Sequence, residues 1–586
     1  MNSVEQLRQT WSKVLAVPAS EIEDDDSFFD LGGDSVKAIQ LLSEAAQSAI
    51  TVDLQTFYDN QDSTVKDFWS IISPQVQGRN GWGPINRSCD KSTGRTDNWV
   101  GRKKTDINLE TVERALKEFN IERESVCQIA PISPIQGELQ QSGNDVPQSF
   151  MFHLEVALIR FILIEFFLHL GLNGNVGLIN YVYEVEGRDL KQGLAQLTMH
   201  LEAKNPIFRT IIIEDDTGKF TQVRLSHSLS TWTYPTDLQT YLDDTMTEKQ
   251  RLGASSVRYS LVLRDERHQG KSFFVISFDH THCDAFSRYL IDKEIRQILE
   301  QPAEYSSLQN PERPWYGDFV EHNRAHNHDD RLSQYWASYM KSANLANVHP
   351  LNEAVVGGEL DGELVEIVPI PVVTQSRRTR GQINPSHVIL AAWAMALSKH
   401  SGLKDIAFGL ARHGRSSDSF MDLSRVIGPL VTGTPFRVKL DDTEKGTERF
   451  LNKVKEEVLE TAKWEQGVVP NIHPDAEGNP WVQSMVNLKS ELYGFGNESW
   501  TADKAEANIT AIKMRRDLQQ YEFKSNWAIL LSTLQKQGQL RLRMYYQSQL
   551  LDHDKAHALF ANFKFFIAEL AKGSEDPITS LLDSDS

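Results

Sequence analysis

The sequence predicts a small all-α bundle followed by a large, two-lobed α/β segment. Three features carry that prediction: helical spacing of apolar residues across positions 1–75, a polar stretch behind them, and alternating strand-like and helix-like segments from residue 122 onward. A chain of 586 residues also exceeds what one core accommodates, so several folding units are expected.

In the bundle, Val4, Leu7, Trp11, Val14 and Leu15 recur at helical spacing, and Pro18 ends that helix. An acidic run (Glu21, Glu23, Asp24, Asp25, Asp26) leads into FFDLGGDSVKAIQLL, where Gly32 and Gly33 form a turn and Asp34-Ser35 open a second helix. Val36, Ala38, Ile39, Leu41 and Leu42 give that helix an apolar side, and Val65, Phe68 and Ile72 mark another over Thr64–Ile72. A bundle of about four helices follows.

From Gln77 to Asp106 apolar periodicity fades, and Gly, Asn, Ser, Arg and Lys dominate. Such a composition buries too little surface to fold alone, so residues 76–121 read as a flexible linker or, in part, a strap on the next domain. A tether of this length reaches on the order of 30 Å. Beyond it, Phe208–Ile213, Arg258–Arg264, Phe273–Phe278, Trp527–Thr533 and Leu540–Tyr546 read as strands, and His387–His400, Glu448–Ala462 and His553–Leu570 as helices. The expected lobes are 122–305 and 306–586.

The formal net charge of −19 argues against nucleic-acid binding, which needs a basic face. Cys89, Cys127 and Cys283 are odd in number and widely spaced, the pattern of neither a disulfide framework nor a zinc site, and fit a reducing, cytoplasmic setting. The N-terminus lacks the apolar core of a signal peptide. The most apolar stretch, Met151–Leu172, carries Glu155, Arg160 and Glu165, which are costly at membrane depth, so no membrane partner is expected. Its break in composition fits an insertion, translated non-coding sequence, or a buried or partner-facing helix.

Two short motifs carry chemistry. In LGGDS, two glycines and an aspartate hold the Ser35 hydroxyl at the tip of the bundle, whereas a serine at a helix start ordinarily only caps the helix. In SFFVISFDHTHCDAFSRYL, a strand ends near Phe278, His280 and Asp284 sit in the turn beyond it, and Ser287 starts the next helix. An H-x-x-x-D spacing alone is weak, because a capping histidine and a helix-start aspartate produce it too.

The first segment, with its FFDLGGDS lead-in, resembles acyl and peptidyl carrier domains, and that resemblance implies 4′-phosphopantetheine carried covalently on Ser35. Further on, SPIQGELQ (133–140), NPIFRT (205–210), YGDF (316–319), QYW (334–336), FGLARHGR (408–415) and VIGPLVTGTPFRV (426–438) appear in order around the H-x-x-x-D stretch. Their order and spacing resemble the condensation domains of nonribosomal peptide synthetases. The implied architecture is a small all-α carrier bundle followed by a two-lobed α/β condensation domain with chloramphenicol acetyltransferase-like lobes. Condensation domains usually show paired histidines and a glycine after the aspartate; here Asp279 and Ala285 stand in those places.

With those departures the chain is similar to free-standing fungal carrier–condensation proteins, in particular the ester-forming type of the fumonisin pathway. That type places a tricarboxylic acyl unit on polyketide hydroxyls in mycotoxin biosynthesis. The resemblance implies an acyltransferase with His280 as base and Asp284 as a loop support paired to an arginine, Arg415 or Arg209. It also implies a phosphopantetheinyl transferase, a separate acyl-activating enzyme loading in trans, and a polyketide-like hydroxyl acceptor. With no adenylation domain ahead of residue 1, loading in trans is the expectation.

Other residues compete for these roles. His282 is a candidate second base. Cys283 is not needed as a nucleophile if the acyl group already arrives as a thioester. His322, His326 and His328 read as a solvated helix face rather than a metal site. Two alternative functions remain at this stage: a terminal domain forming an amide or macrocycle from a peptidyl thioester, and a docking platform without catalysis.

Overall fold

The structure is a computed structural model that describes most of residues 4–41, residues 64–70 and 109–131, and most of residues 178–583. Ser35 and the apolar stretch 151–172 lie outside the described residues.

The N-terminal region is helical. Val4–Leu15 buries Leu7, Trp11, Val14 and Leu15, the face set by its periodicity. Residues 65–70 form a second helical piece. The Trp11 ring meets Phe28 edge-on at 5.3 Å and lies 6.3 Å from Phe68, so one indole joins three segments. The turn after Phe29 is tight. Gly32 adopts φ of 85°, and a Cβ on Gly33 would overlap the Phe28 ring. Both positions therefore require glycine.

The helix Leu109–Glu118 falls within the segment read as linker. Its residues Val112, Ala115 and Leu116 pack against Ile211, Ile213 and Val223. Three apolar residues at helical spacing suffice to dock it, a signal masked in the sequence by the polar stretch before it.

Among the described residues two six-stranded sheets organise the α/β part. The first runs in the order Ser499–Thr501, Ala511–Met514, Ile179–Glu186, Lys271–Phe278, Val257–Asp265, Thr231–Thr233. The second runs Thr432–Lys439, Asp405–Arg412, Ser484–Lys489, Ile529–Lys536, Gln539–Tyr546, Gly362–Pro369. The lobes are thus interlocked: Ala511–Met514, far along the chain, pairs antiparallel with Ile179–Glu186 of the first sheet. A smaller three-stranded sheet joins Val126–Pro131, Phe220–Leu225 and Thr210–Glu214.

Helices Pro385–Ser401 and His553–Lys572 cover the second sheet, with Trp393 and Phe563 in edge contact at 5.4 Å. The strand expected over Phe208–Ile213 begins later, at Thr210, because Pro206 starts a 3₁₀ turn through Arg209. Cys127 is disulfide-bonded, a bond that the wide, odd spacing of the cysteines did not announce. Spacing along a chain says nothing about distance in a fold. No helix among the described residues is long and apolar enough to cross a membrane.

Trp11→Ala should destabilise the N-terminal bundle by about 3–5 kcal/mol, read by urea unfolding monitored through that segment. A loss below about 1 kcal/mol would contradict its place at the centre of that core.

Candidate active site

The site begins where a buried strand runs out. Lys271–Phe278 is central in the first sheet, and its last six residues are buried. His280–His282 then make one 3₁₀ turn, and Asp284 leads into the helix Ala285–Glu300. A strand, a single turn and a helix fix the backbone of His280; its side chain lies outside the described residues.

Asp284 is the best-anchored carboxylate in this region. Its two oxygens accept from the Arg415 guanidinium, Nη1 to Oδ2 at 2.8 Å and Nη2 to Oδ1 at 3.1 Å. Oδ1 also accepts from the Ser287 amide at 2.7 Å, and Oδ2 from the amides of Leu430 and Val431 at 2.9 and 3.2 Å. Burial alone would raise the Asp284 pKa, but the charge and hydrogen bonds of Arg415, together with the hydrogen bonds of Ser287, outweigh it and hold the carboxyl below its ordinary value.

Arg415 is itself 2% exposed. It stacks over the Phe286 ring at 4.4 Å and donates to the carbonyls of His413, Val426 and Gly428. Gly414 makes that approach possible. It has φ of 64°, and a Cβ there would collide with the Leu430 carbonyl oxygen. Arg209 is engaged elsewhere: it donates to the carbonyls of Glu202 and Leu225 and pairs with Glu312.

Ser287 completes the clasp. Its hydroxyl donates to the Gly428 carbonyl at 2.9 Å and accepts from the Gly428 amide at 2.9 Å. The stretch VIGPLV thus wraps the start of the helix that Asp284 leads into. Its role was invisible in sequence, because the donors are backbone amides.

His282 is 1% exposed, and its Nδ1 lies 2.9 Å from the Thr281 hydroxyl. Burial pushes its pKa down to about 3, against a smaller opposing effect of the Thr210 backbone. It is a neutral packing residue at pH 7, and solvent does not reach it. Cys283 is fully buried with its sulfur 2.8 Å from the Tyr181 hydroxyl, and burial pushes its thiol far up, the opposite of an activated nucleophile. No metal-binding cluster of His, Cys, Asp and Glu occurs among the described residues.

Asp279, in the place of a histidine, is buried beside Ser256 and Arg258, and Arg258 is paired with Glu248. Its amide donates to the Ser256 carbonyl at 3.0 Å, and its carbonyl accepts from the His282 amide at 3.0 Å. Burial lifts its pKa to about 7, partly opposed by Arg258 and Ser256.

Both carboxylates can be tested by amide replacement. Asp284→Asn should cost about 3–5 kcal/mol in urea unfolding, since it leaves Arg415 buried without its counter-charge, and should lower turnover as well. Unchanged melting with lost turnover would contradict a supporting role. For Asp279 the folded-state pKa lies above the unfolded value, so the native state binds the extra proton. That stabilising effect is complete below about pH 4 and is lost as pH rises to about 7. The side-chain amide introduced by Asp279→Asn does not titrate, so the stability difference between pH 5 and pH 8 should shrink. An unchanged difference would place the titration elsewhere.

Known proteins resemble this chain in sequence and in fold. A family model described as the condensation domain matches residues 178–585, and one described as the phosphopantetheine attachment site matches residues 5–68. The chain is 75% identical to nonribosomal peptide synthetase 8 of Gibberella moniliformis, over 100% of both chains. It is 42% identical, again over 100% of both, to nonribosomal peptide synthetase ALT12 of Alternaria alternata. Among solved structures, the starter condensation domain of rhizomide synthetase superposes with a TM-score of 0.54 at 14% identity, covering 74% of this chain and 98% of that one.

Proposed function

The chain belongs to the condensation-domain family of nonribosomal peptide synthetases, with a phosphopantetheine carrier domain ahead of the condensation domain, and from that premise we propose that it is an ester-forming acyltransferase. In this reading it moves a small acyl unit, tricarboxylic as in the fumonisin pathway, from Ser35 of its own carrier onto hydroxyls of a polyketide-like acceptor. A separate enzyme activates and loads the acyl unit in trans, and a phosphopantetheinyl transferase primes the carrier.

The observation that supports this reading best is the loop Asp279–Ala285, which keeps His280 and Asp284 while Asp279 and Ala285 stand where condensation domains usually carry a first histidine and a glycine. The residues leading into Ser35 suit a prosthetic arm. The Gly32–Gly33 turn packs closely on Phe28 and folds in a way only glycine tolerates. When bound, the arm supplies the thiol that carries the acyl group.

The chain's own residues do the rest. His280 accepts the proton of the attacking hydroxyl, a step worth roughly 10²–10⁴ in rate. Asp284 does not touch substrate; with Arg415 it fixes the loop on which His280 sits. His282, neutral and buried, keeps the turn packed. Holding donor and acceptor together accounts for the remaining acceleration, because tethering removes most of the translational entropy of their meeting.

Offering the acyl-loaded chain hydroxyl and amine acceptors of one carbon skeleton, and weighing products by mass spectrometry, tests the reading. Ester is the expected product, with His280→Ala lowering its rate roughly 10²–10⁴-fold. Amide products alone would overturn ester formation, and undiminished turnover in His280→Ala would overturn the assignment of the base.

A further inference from the structure

One buried side chain links the two domains directly. Asn384 sits immediately before the helix Pro385–Ser401 and is 3% exposed. Its Oδ1 accepts from the Ser386 amide at 2.8 Å, capping the helix. Its Nδ2 donates to the carbonyl of Gly32 at 3.4 Å, across 352 positions of sequence. Gly32 lies three positions before Ser35. Its carbonyl also accepts from Lys37 Nζ at 2.9 Å.

Packing supports the same junction. Carrier residues Leu7, Trp11, Phe28 and Val65 belong to one apolar cluster with Phe274 and Phe278, the strand that ends at the site, and with Val426 and Leu430 of the clasp. The carrier's core is continuous with the core behind the reactive loop.

We propose that Asn384 is a positioning residue for the carrier, holding the Leu31–Gly33 turn against the start of the helix Pro385–Ser401 so that the acyl group on Ser35 is delivered in cis. The inference rests on acyl transfer from Ser35, as proposed above. Asparagine suits both tasks, because its amide places an acceptor for the helix and a donor for a carbonyl on separate atoms of one side chain. Aspartate caps equally well but sets a carboxylate against the Gly32 carbonyl. Serine caps and is too short to reach it. These two replacements therefore separate docking from helix capping.

The test uses the full chain, with two readouts. The first is the rate of carrier-delivered transfer divided by the rate with the same acyl group on a soluble N-acetylcysteamine thioester, which needs no docking. Asn384→Asp and Asn384→Ser should lower that ratio by about two- to tenfold, the worth of one net hydrogen bond. The second is the priming rate of Ser35 by a phosphopantetheinyl transferase, followed by intact mass, which should rise in both variants as the turn is released. A role limited to capping moves neither quantity. An unchanged ratio together with unchanged priming in both variants overturns the docking role. Failure of the parent chain to be primed overturns instead the carrier assignment on which the docking rests.

Discussion

The buried pair between Asp284 and Arg415 is the constraint on which the rest of the site depends. One partner opens a helix of the first lobe, and the other follows a strand of the second. Removing two such charges from water is costly, and their attraction alone does not guarantee a net gain. Here every lone pair used is matched: two guanidinium nitrogens and three backbone amides converge on one carboxylate. Bidentate geometry of this kind is specific to arginine. The pair thereby fixes the turn carrying His280 relative to both lobes.

The lobes are also joined covalently and by sheet. Residues 511–514 return to the first sheet, so relative motion of the lobes must bend a hydrogen-bonded ladder as well as open a salt bridge. A site built between two elements held in three ways keeps its reacting groups in register. That favours a chemistry in which positioning supplies much of the rate. On the proposed reading the carrier restricts freedom further, since its cargo is presented from the same chain rather than captured from solution.

Much of this was legible in the sequence, and the reasons are physical. Periodicity marked the buried face of the helix Val4–Leu15, and the strands at 257–265, 271–278 and 539–546 to within two residues or so, because one-sided burial writes itself into residue type. His280 and Asp284 stood out as a motif, and Arg415 as one of two candidate partners. Local spacing does not report what is distant in the chain. The amides of Leu430 and Val431, the contact of Asn384 with Gly32 and the return of residues 511–514 have no local signature, because backbone groups and long-range pairings are not spelled by residue identity. Pro206 displaced the strand start to Thr210, and Asp279 was readable as a substitution but not as a buried carboxyl with a raised pKa.

The central claim is that a thioester carried on one serine is handed to an acceptor at the histidine loop of the same chain. Its most direct test is intact-protein mass and product formation for the parent and Ser35→Ala chains, each incubated with coenzyme A, a phosphopantetheinyl transferase, and the activated acyl donor. The account predicts a phosphopantetheine mass increase on the Ser35 peptide, a further acyl increase, and product only from the parent. Equal product from the Ser35→Ala chain would contradict it.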